Sequence, residues 1–117
     1  MQISIIKEEN KNEQRVSSTP DAINLLLRFG AEVLIEKGAG QLAGYDDEHY
    51  ESAGAKITDR LTCLQSDICL CVRMPNQVDI KKMKKGLILI GILNPYENKD
   101  YFNTLNNNNI TSCCMEL

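Results

Sequence analysis

The run Leu87 to Leu93 reads Leu-Ile-Leu-Ile-Gly-Ile-Leu, apolar throughout and bounded by Gly86 on one side and Asn94-Pro95 on the other. A half-exposed strand alternates polar and apolar residues, whereas an unbroken short apolar run reads as a strand buried on both faces. Such strands belong to parallel sheets, whose helical connections cover both sides. The chain repeats this theme. Ile3 to Ile6 is apolar and β-branched, Glu32 to Ile35 follows, and Lys56 to Thr58 is a weaker strand segment. Asp67 to Val72 is a strong one, stopped by Pro75, and Ile110 to Met115 is the last.

Helix signals lie between these segments. Thr19-Pro20 marks a helix start, with the threonine as N-cap and the proline pre-set for the first turn. The residues after it place Ile23, Leu26, Leu27 and Phe29 near one stripe, and Gly30 supplies the stop. Asp46 or Asp47 caps a short helix through about Ala53, and Asp59 to Gln65 forms another. Val78 to Lys85 is a helix ended by Gly86, and Glu97 to about Leu105 is the last. The asparagine run Asn106 to Asn109 falls between helix and strand, where it suits a tight turn. Strands alternating with short helices predict an α/β fold, a doubly wound parallel sheet of Rossmann-like or flavodoxin-like type. A length of 117 residues allows one such domain, spanning residues 1–117, and no second core.

A net charge of −3 provides no basic excess to neutralise phosphates, which argues against a nucleic-acid surface. The longest apolar stretch, Leu87 to Leu93, is far too short to cross a bilayer. The N-terminus lacks a basic region followed by an apolar core, so a soluble, cytoplasmic protein is expected. Five cysteines, an odd number without a Cys-x-x-Cys pair and with His49 as the only histidine, fit neither a disulfide framework nor a zinc site. Buried thiols in strands are expected instead, with Cys69 and Cys71 facing one side and the adjacent Cys113 and Cys114 facing opposite sides. No metal is implied.

Gly38-Ala39-Gly40, with Gly44 soon after and Asp59 about twenty residues downstream, approaches a dinucleotide fingerprint. The spacing to Gly44 is one residue too long, however, and the acidic segment Tyr45-Asp46-Asp47-Glu48 would repel a pyrophosphate. A glycine turn is the expectation, so the predicted fold comes without its own fingerprint. The lysines of Lys81 to Lys85 complement the negative end of a helix dipole, and Asp46 to His49 occupy a helix N-terminus where carboxylates belong.

Two arginines remain. Arg15 follows the first strand segment and Arg73 follows Asp67 to Val72, so both fall at the carboxyl edge of a parallel sheet, where open α/β folds bind ligands. A guanidinium there can hold a carboxylate or phosphate through paired hydrogen bonds. It can equally tie its loop to a nearby acid such as Glu8, Glu9 or Glu13. Arg15 and Arg73 are the substrate and cleft candidates; no catalytic or cofactor-binding residue is assigned.

The entry segment Met1 to Val16 with Ser18-Thr19-Pro20, then Glu36 to Ala43, Asp46-Asp47 and Ala53 to Ala55, resemble in order the N-terminal domain of the alanine dehydrogenase and pyridine nucleotide transhydrogenase family. The resemblance covers the whole chain and implies roles. Arg15 matches the arginine that holds the substrate carboxylate in alanine dehydrogenases. Arg73 falls where those enzymes carry a substrate-engaging lysine, and Asn94 falls where they carry a catalytic histidine. Asparagine does not shuttle protons as histidine does, and transhydrogenase α subunits also lack that histidine. Gly38 to Ala43 is similar to their corresponding segment. The resemblance therefore implies the opening portion of the α subunit of a proton-translocating NAD(P) transhydrogenase, with hydride transfer between NAD(H) and NADP(H). Its partners would be the remainder of the subunit and the membrane and NADP-binding components, so that the chain is peripheral to the inner membrane through them.

In that family NAD(H) is bound by the segment beyond Met115-Glu116-Leu117, so this chain alone is expected not to bind it, as a truncated or split piece. A stand-alone small-anion binding domain and a non-catalytic remnant are the alternatives, with an alanine dehydrogenase fragment disfavoured by Asn94. A last strand with no following helix should leave Ile110, Cys113 and Met115 poorly covered, with an edge inclined to dimerise or to dock on the missing half.

Overall fold

The computed structural model describes residues 1–116; Leu117, the end of the Met-Glu-Leu segment, lies outside the described residues. Six strands form one sheet: β1 (Gln2–Ile5), β2 (Glu32–Glu36), β3 (Lys56–Thr58), β4 (Ile68–Leu70), β5 (Ile88–Gly91) and β6 (Thr111–Cys114). Every pairing is parallel, in the order β3-β2-β1-β4-β5-β6. The helices are α1 (Pro20–Arg28), α2 (Asp47–Ser52), α3 (Arg60–Leu64), α4 (Gln77–Lys82) and α5 (Lys99–Asn107), with a single 3-10 turn over Gln41–Ala43. This is the doubly wound α/β sheet that the alternating segments predict.

Right-handed crossovers send the helices to opposite faces when the sheet grows in opposite directions. Growth from β1 to β2 and β3 carries α1 and α2 onto one face. There Ile23 and Tyr50 pack on Ile5, Val33 and Ile35. Growth from β4 to β5 and β6, together with the long crossover from β3, puts α3, α4 and α5 on the other face. Cys63, Leu64, Ile80 and Leu105 cover Cys69, Leu87 and Leu89 there. Cys69 and Cys71 share this second core, as their alternation requires, and burial pushes the thiols of Cys63 and Cys69 up to about 12. They pack as inert apolar groups.

Local signals explain most element ends. Asp46 caps α2 in a capping box with His49, Asp59 caps α3 through Thr62 N, and Asn76 caps α4 through Asp79 N. Gly30 closes α1 at φ +84°, where a side chain would be strained. Gly91 interrupts the apolar run of β5 because a Cβ there would stand 2.6 Å from the Cys71 carbonyl oxygen.

Several details differ from the sequence reading. Thr19 holds the extended N-cap conformation, but its side chain makes no cap bond; the proline at the start carries the signal. Phe29 leaves the apolar stripe and stands exposed, because α1 ends at Arg28 and the backbone turns there. Helix α4 stops at Lys82 rather than Lys85, since Met83 turns extended to bury its side chain. Ile110 is well buried under Leu105 and α5, contrary to the expectation for the last strand, whereas Cys113 and Met115 are exposed as expected. Cys114, pointing the other way, packs on the α3–α5 core.

Leu89 is fully buried between β4 and β6 beneath the helices, so Leu89→Ala is expected to lower stability by about 2–5 kcal/mol through lost burial and the cavity left behind. Urea denaturation followed by circular dichroism checks this; a midpoint equal to the wild type would show that the α3–α5 core is not the stabilising one.

Candidate functional site

The sheet changes its direction of growth between β1 and β4, and at the carboxyl ends of these two strands their following loops separate. That crevice is the ligand-binding place of an open α/β sheet. The loop after β1 supplies Lys7, Glu8, Glu9, Glu13 and Arg15; the loop after β4 supplies Arg73 and Asn76.

Glu13 is the centre of this edge. It is only 4% exposed, and both sequence-nominated arginines converge on it. Arg15 grips it with two parallel bonds, Nε to Oε2 and Nη2 to Oε1, each 2.9 Å, while Arg73 Nε donates to Oε1 at 2.8 Å. The Arg15 amide adds a bond to Oε2 at 3.0 Å. The hydrogen bonds from Arg15 hold the Glu13 carboxyl down to about 2 despite its burial, with the Arg73 bond acting in the same direction. Glu8 stitches the same loop to β4 by accepting from the Val72 and Arg73 amides at 2.9 and 2.7 Å. Burial raises its pKa, against the lowering effect of those amides.

From the sequence, each arginine either binds an anion or ties its loop to an acid. The tie is present, and it joins both arginines through one carboxylate. It does not use up their donors. Arg15 is 60% exposed and Arg73 is 49% exposed. Among the described residues, the bonds given for these arginines leave Arg15 Nη1 and both terminal nitrogens of Arg73 directed to solvent.

Arg60 is a second hub, which the sequence reading missed. It bonds Asp79 Oδ2 through Nη2 at 2.7 Å and Nε at 3.0 Å, Glu36 Oε1 through Nη1 at 2.7 Å, and the Lys7 carbonyl at 3.0 Å. Glu9 lies 3.5 Å from its Nε. Burial works against the guanidinium's charge, but the Asp79 hydrogen bonds and the charges of Glu36 and Asp79 outweigh it and leave the pKa raised. The signal that could have found Arg60 is its position. It is the first residue of α3, where a cation opposes the helix dipole, so some other partner has to hold it there.

These charges decide what the crevice accepts. A cavity of about 230 Å³ lies between the two loops, lined among others by Glu8, Glu9, Arg60, Arg73 and Asn76. Glu36 and Asp79 add two more carboxylates behind Arg60. A pyrophosphate does not fit here, because the one deep cation is already shared by its own acids. Nor does the glycine turn serve: the Gly38 amide donates to Asp47 Oδ1 at 2.9 Å, and Asp59 is occupied as the α3 cap. Asn94, at the end of β5, adopts φ +50° and donates from its amide to Glu116 Oε2 at 2.8 Å and from Nδ2 to Glu97 Oε2 at 2.7 Å. No cluster of metal-ligating side chains occurs among the described residues, and no helix among them is long and apolar enough to cross a membrane.

A parallel α/β domain with an arginine pair at its carboxyl edge and no dinucleotide loop of its own is a defined class. The family model for the alanine dehydrogenase/PNT N-terminal domain matches residues 4–117, and the chain belongs to that family. The first of the pieces that make up NAD(P) transhydrogenase subunit alpha in Rickettsia prowazekii is 34% identical over 99% of this chain and 32% of its own length. The crystal structure of transhydrogenase from Sinorhizobium meliloti superposes with a TM-score of 0.96 at 30% identity, over 99% of this chain and 35% of that one. An L-alanine dehydrogenase structure gives a TM-score of 0.92 at 26% identity, over 97% of this chain and 32% of that one. The chain thus spans about a third of the length of these relatives.

The site generates two expectations. Because the folded Glu13 carboxyl lies below its ordinary value of 4.5, its contribution is present above that pH and disappears as pH falls toward about 2. Glu13→Gln should therefore be less stable than wild type at pH 7, and the gap should close between about 4.5 and 2; thermal melts across pH test this, and a gap that is constant with pH would contradict it. Arg60→Ala leaves Glu36 and Asp79 facing each other without a cation, and should cost about 3 kcal/mol, toward the lower end for breaking a buried ion pair. Denaturant titration measures this, with Arg60→Lys expected to recover only part because it cannot bridge both acids in the same planar fork.

Proposed function

We propose that this chain is the opening portion of the α subunit of an NAD(P) transhydrogenase and contributes a cleft wall to hydride transfer between NAD(H) and NADP(H). The observation that carries the reading is its match over 99% of its length to the Rickettsia prowazekii transhydrogenase α piece and to the Sinorhizobium meliloti transhydrogenase structure. Asn94 favours it over alanine dehydrogenase, the other branch of the family: an amide cannot exchange a proton at the end of β5. NAD(H) is the cofactor of the complete subunit, held by polypeptide other than this chain, since the charge-filled crevice does not suit a pyrophosphate. The partners are the rest of the α subunit and the membrane and NADP-binding components.

Within that assembly Arg15 and Arg73 act as an anion-binding pair. Glu13 fixes their inner donors, so the outer N–H groups are held in place before a ligand arrives. Glu8 sets the backbone from which Arg73 projects.

The isolated chain should bind NADH more weakly than about 100 μM, equivalent to roughly 5.5 kcal/mol. Co-expression with the remaining α-subunit polypeptide and the membrane components should give NADPH-dependent reduction of NAD that is lost when this chain is omitted. Tight NADH binding by the chain alone, or full activity without it, would overturn the proposal.

A further inference from the structure

The two helical layers do not cover the sheet equally. Helices α1 and α2 lie over β1, β2 and β3, and the helices that follow β3 all pack on the opposite face. On the α1–α2 side, the half of the sheet made by β4, β5 and β6 has no helix over it among the described residues. The burial pattern records this strand by strand. Leu87 and Leu89 point to the α3–α5 core and are fully buried, whereas Ile88 and Ile90, pointing the other way, are only partly buried. Ile68 and Leu70 show the same on β4, and Cys113, in register with Ile90, is exposed. A parallel sheet is ordinarily covered on both faces.

This half-face ends in a groove of about 430 Å³ with a floor of Leu70, Ile90, Gly91 and Ile92 and with Met115, 68% exposed, along one side. Arg15 stands at its mouth and is the one charged side chain in the lining. An apolar floor with a single cation at one end is complementary to an amphipathic helix carrying an aliphatic stripe and one carboxylate beside it. The flat shape and spacing of strand side chains suit a packed helix better than a small compact ligand. The relatives carry about two-thirds of their length beyond the region matched here, which is an adequate source for such a helix.

We infer that the open half-face of β4, β5 and β6 is a docking surface for an amphipathic acidic helix from the polypeptide that completes the subunit, with Arg15 meeting its carboxylate. The inference rests on the reading of the chain as a piece of a transhydrogenase α subunit and adds which surface joins the pieces. It gives Arg15 two neighbours of the same chemistry, Glu13 from within and an acid from the partner, so that assembly and the anion site share one residue.

Cys113 is a native reporter on this face, and Cys114 faces the core behind it. The test uses the region of the Rickettsia prowazekii relative beyond its matched third, co-expressed with this chain and purified with it. Modification of Cys113 by a maleimide, read by mass spectrometry, should slow at least tenfold in the complex. Met115→Asp, a surface change that leaves the core intact, should weaken association at least tenfold, and Leu25→Asp on the outer side of α1 should leave it unchanged. A complex that forms with Cys113 still reactive and with Met115→Asp binding as wild type overturns the docking face while leaving the subunit reading standing. Failure to form any complex overturns both. Protection of Cys113 by the chain alone in a concentration-dependent manner assigns the face to a second copy and overturns the helix as its occupant.

Discussion

The organisation of this domain depends on one event, the crossover from β3 back across the sheet to β4. Up to that point the chain builds outward from β1 in one direction, and after it in the other. Because each parallel connection is right-handed, the reversal moves the helices from one face to the other. It also opens the crevice between β1 and β4, brings the loops carrying Glu13 and Arg73 side by side, and leaves the half-face of β4 to β6 without a cover. The ligand edge and the open surface are two results of the same topology.

Charge at the carboxyl edge turns the crevice into something other than a nucleotide site. In a dinucleotide-binding sheet the switch point stays open and a helix N-terminus with a glycine turn meets the phosphates. Here the first helix starts only after a long charged loop, and Arg60 draws Glu36 and Asp79 into the gap beneath it. Glu8 and Glu13 then pin that loop to β4 through backbone amides and two guanidiniums. The edge is rigid where it is buried and cationic where it is exposed, an arrangement that suits a cleft wall holding an anion more than the holding of a cofactor.

The fold was largely legible in the sequence because it follows from local rules. Unbroken apolar runs such as Leu87 to Leu93, capping residues such as Asp59 and Asn76, and Gly30 after α1 act over a few residues and announce themselves. The errors came where a local signal met a tertiary one. Phe29 fits a helical stripe until α1 ends beneath it, and Ile110 belongs to a terminal strand yet is buried because α5 folds back over it. The carboxyl-edge positions of Arg15 and Arg73 were also legible, since each follows a recognisable strand.

The sequence by itself determined the element types, the parallel sheet, the family resemblance and the two arginines, because periodicity, capping and strand ends are properties of short segments. Only the tertiary structure decided that Arg15 and Arg73 share Glu13, that Arg60 serves Glu36 and Asp79, and that one half of one face is left open. Those contacts join residues remote in the chain, with Glu13 and Arg73 separated by sixty positions. Which charges meet is fixed by strand order, and strand order has no local signature.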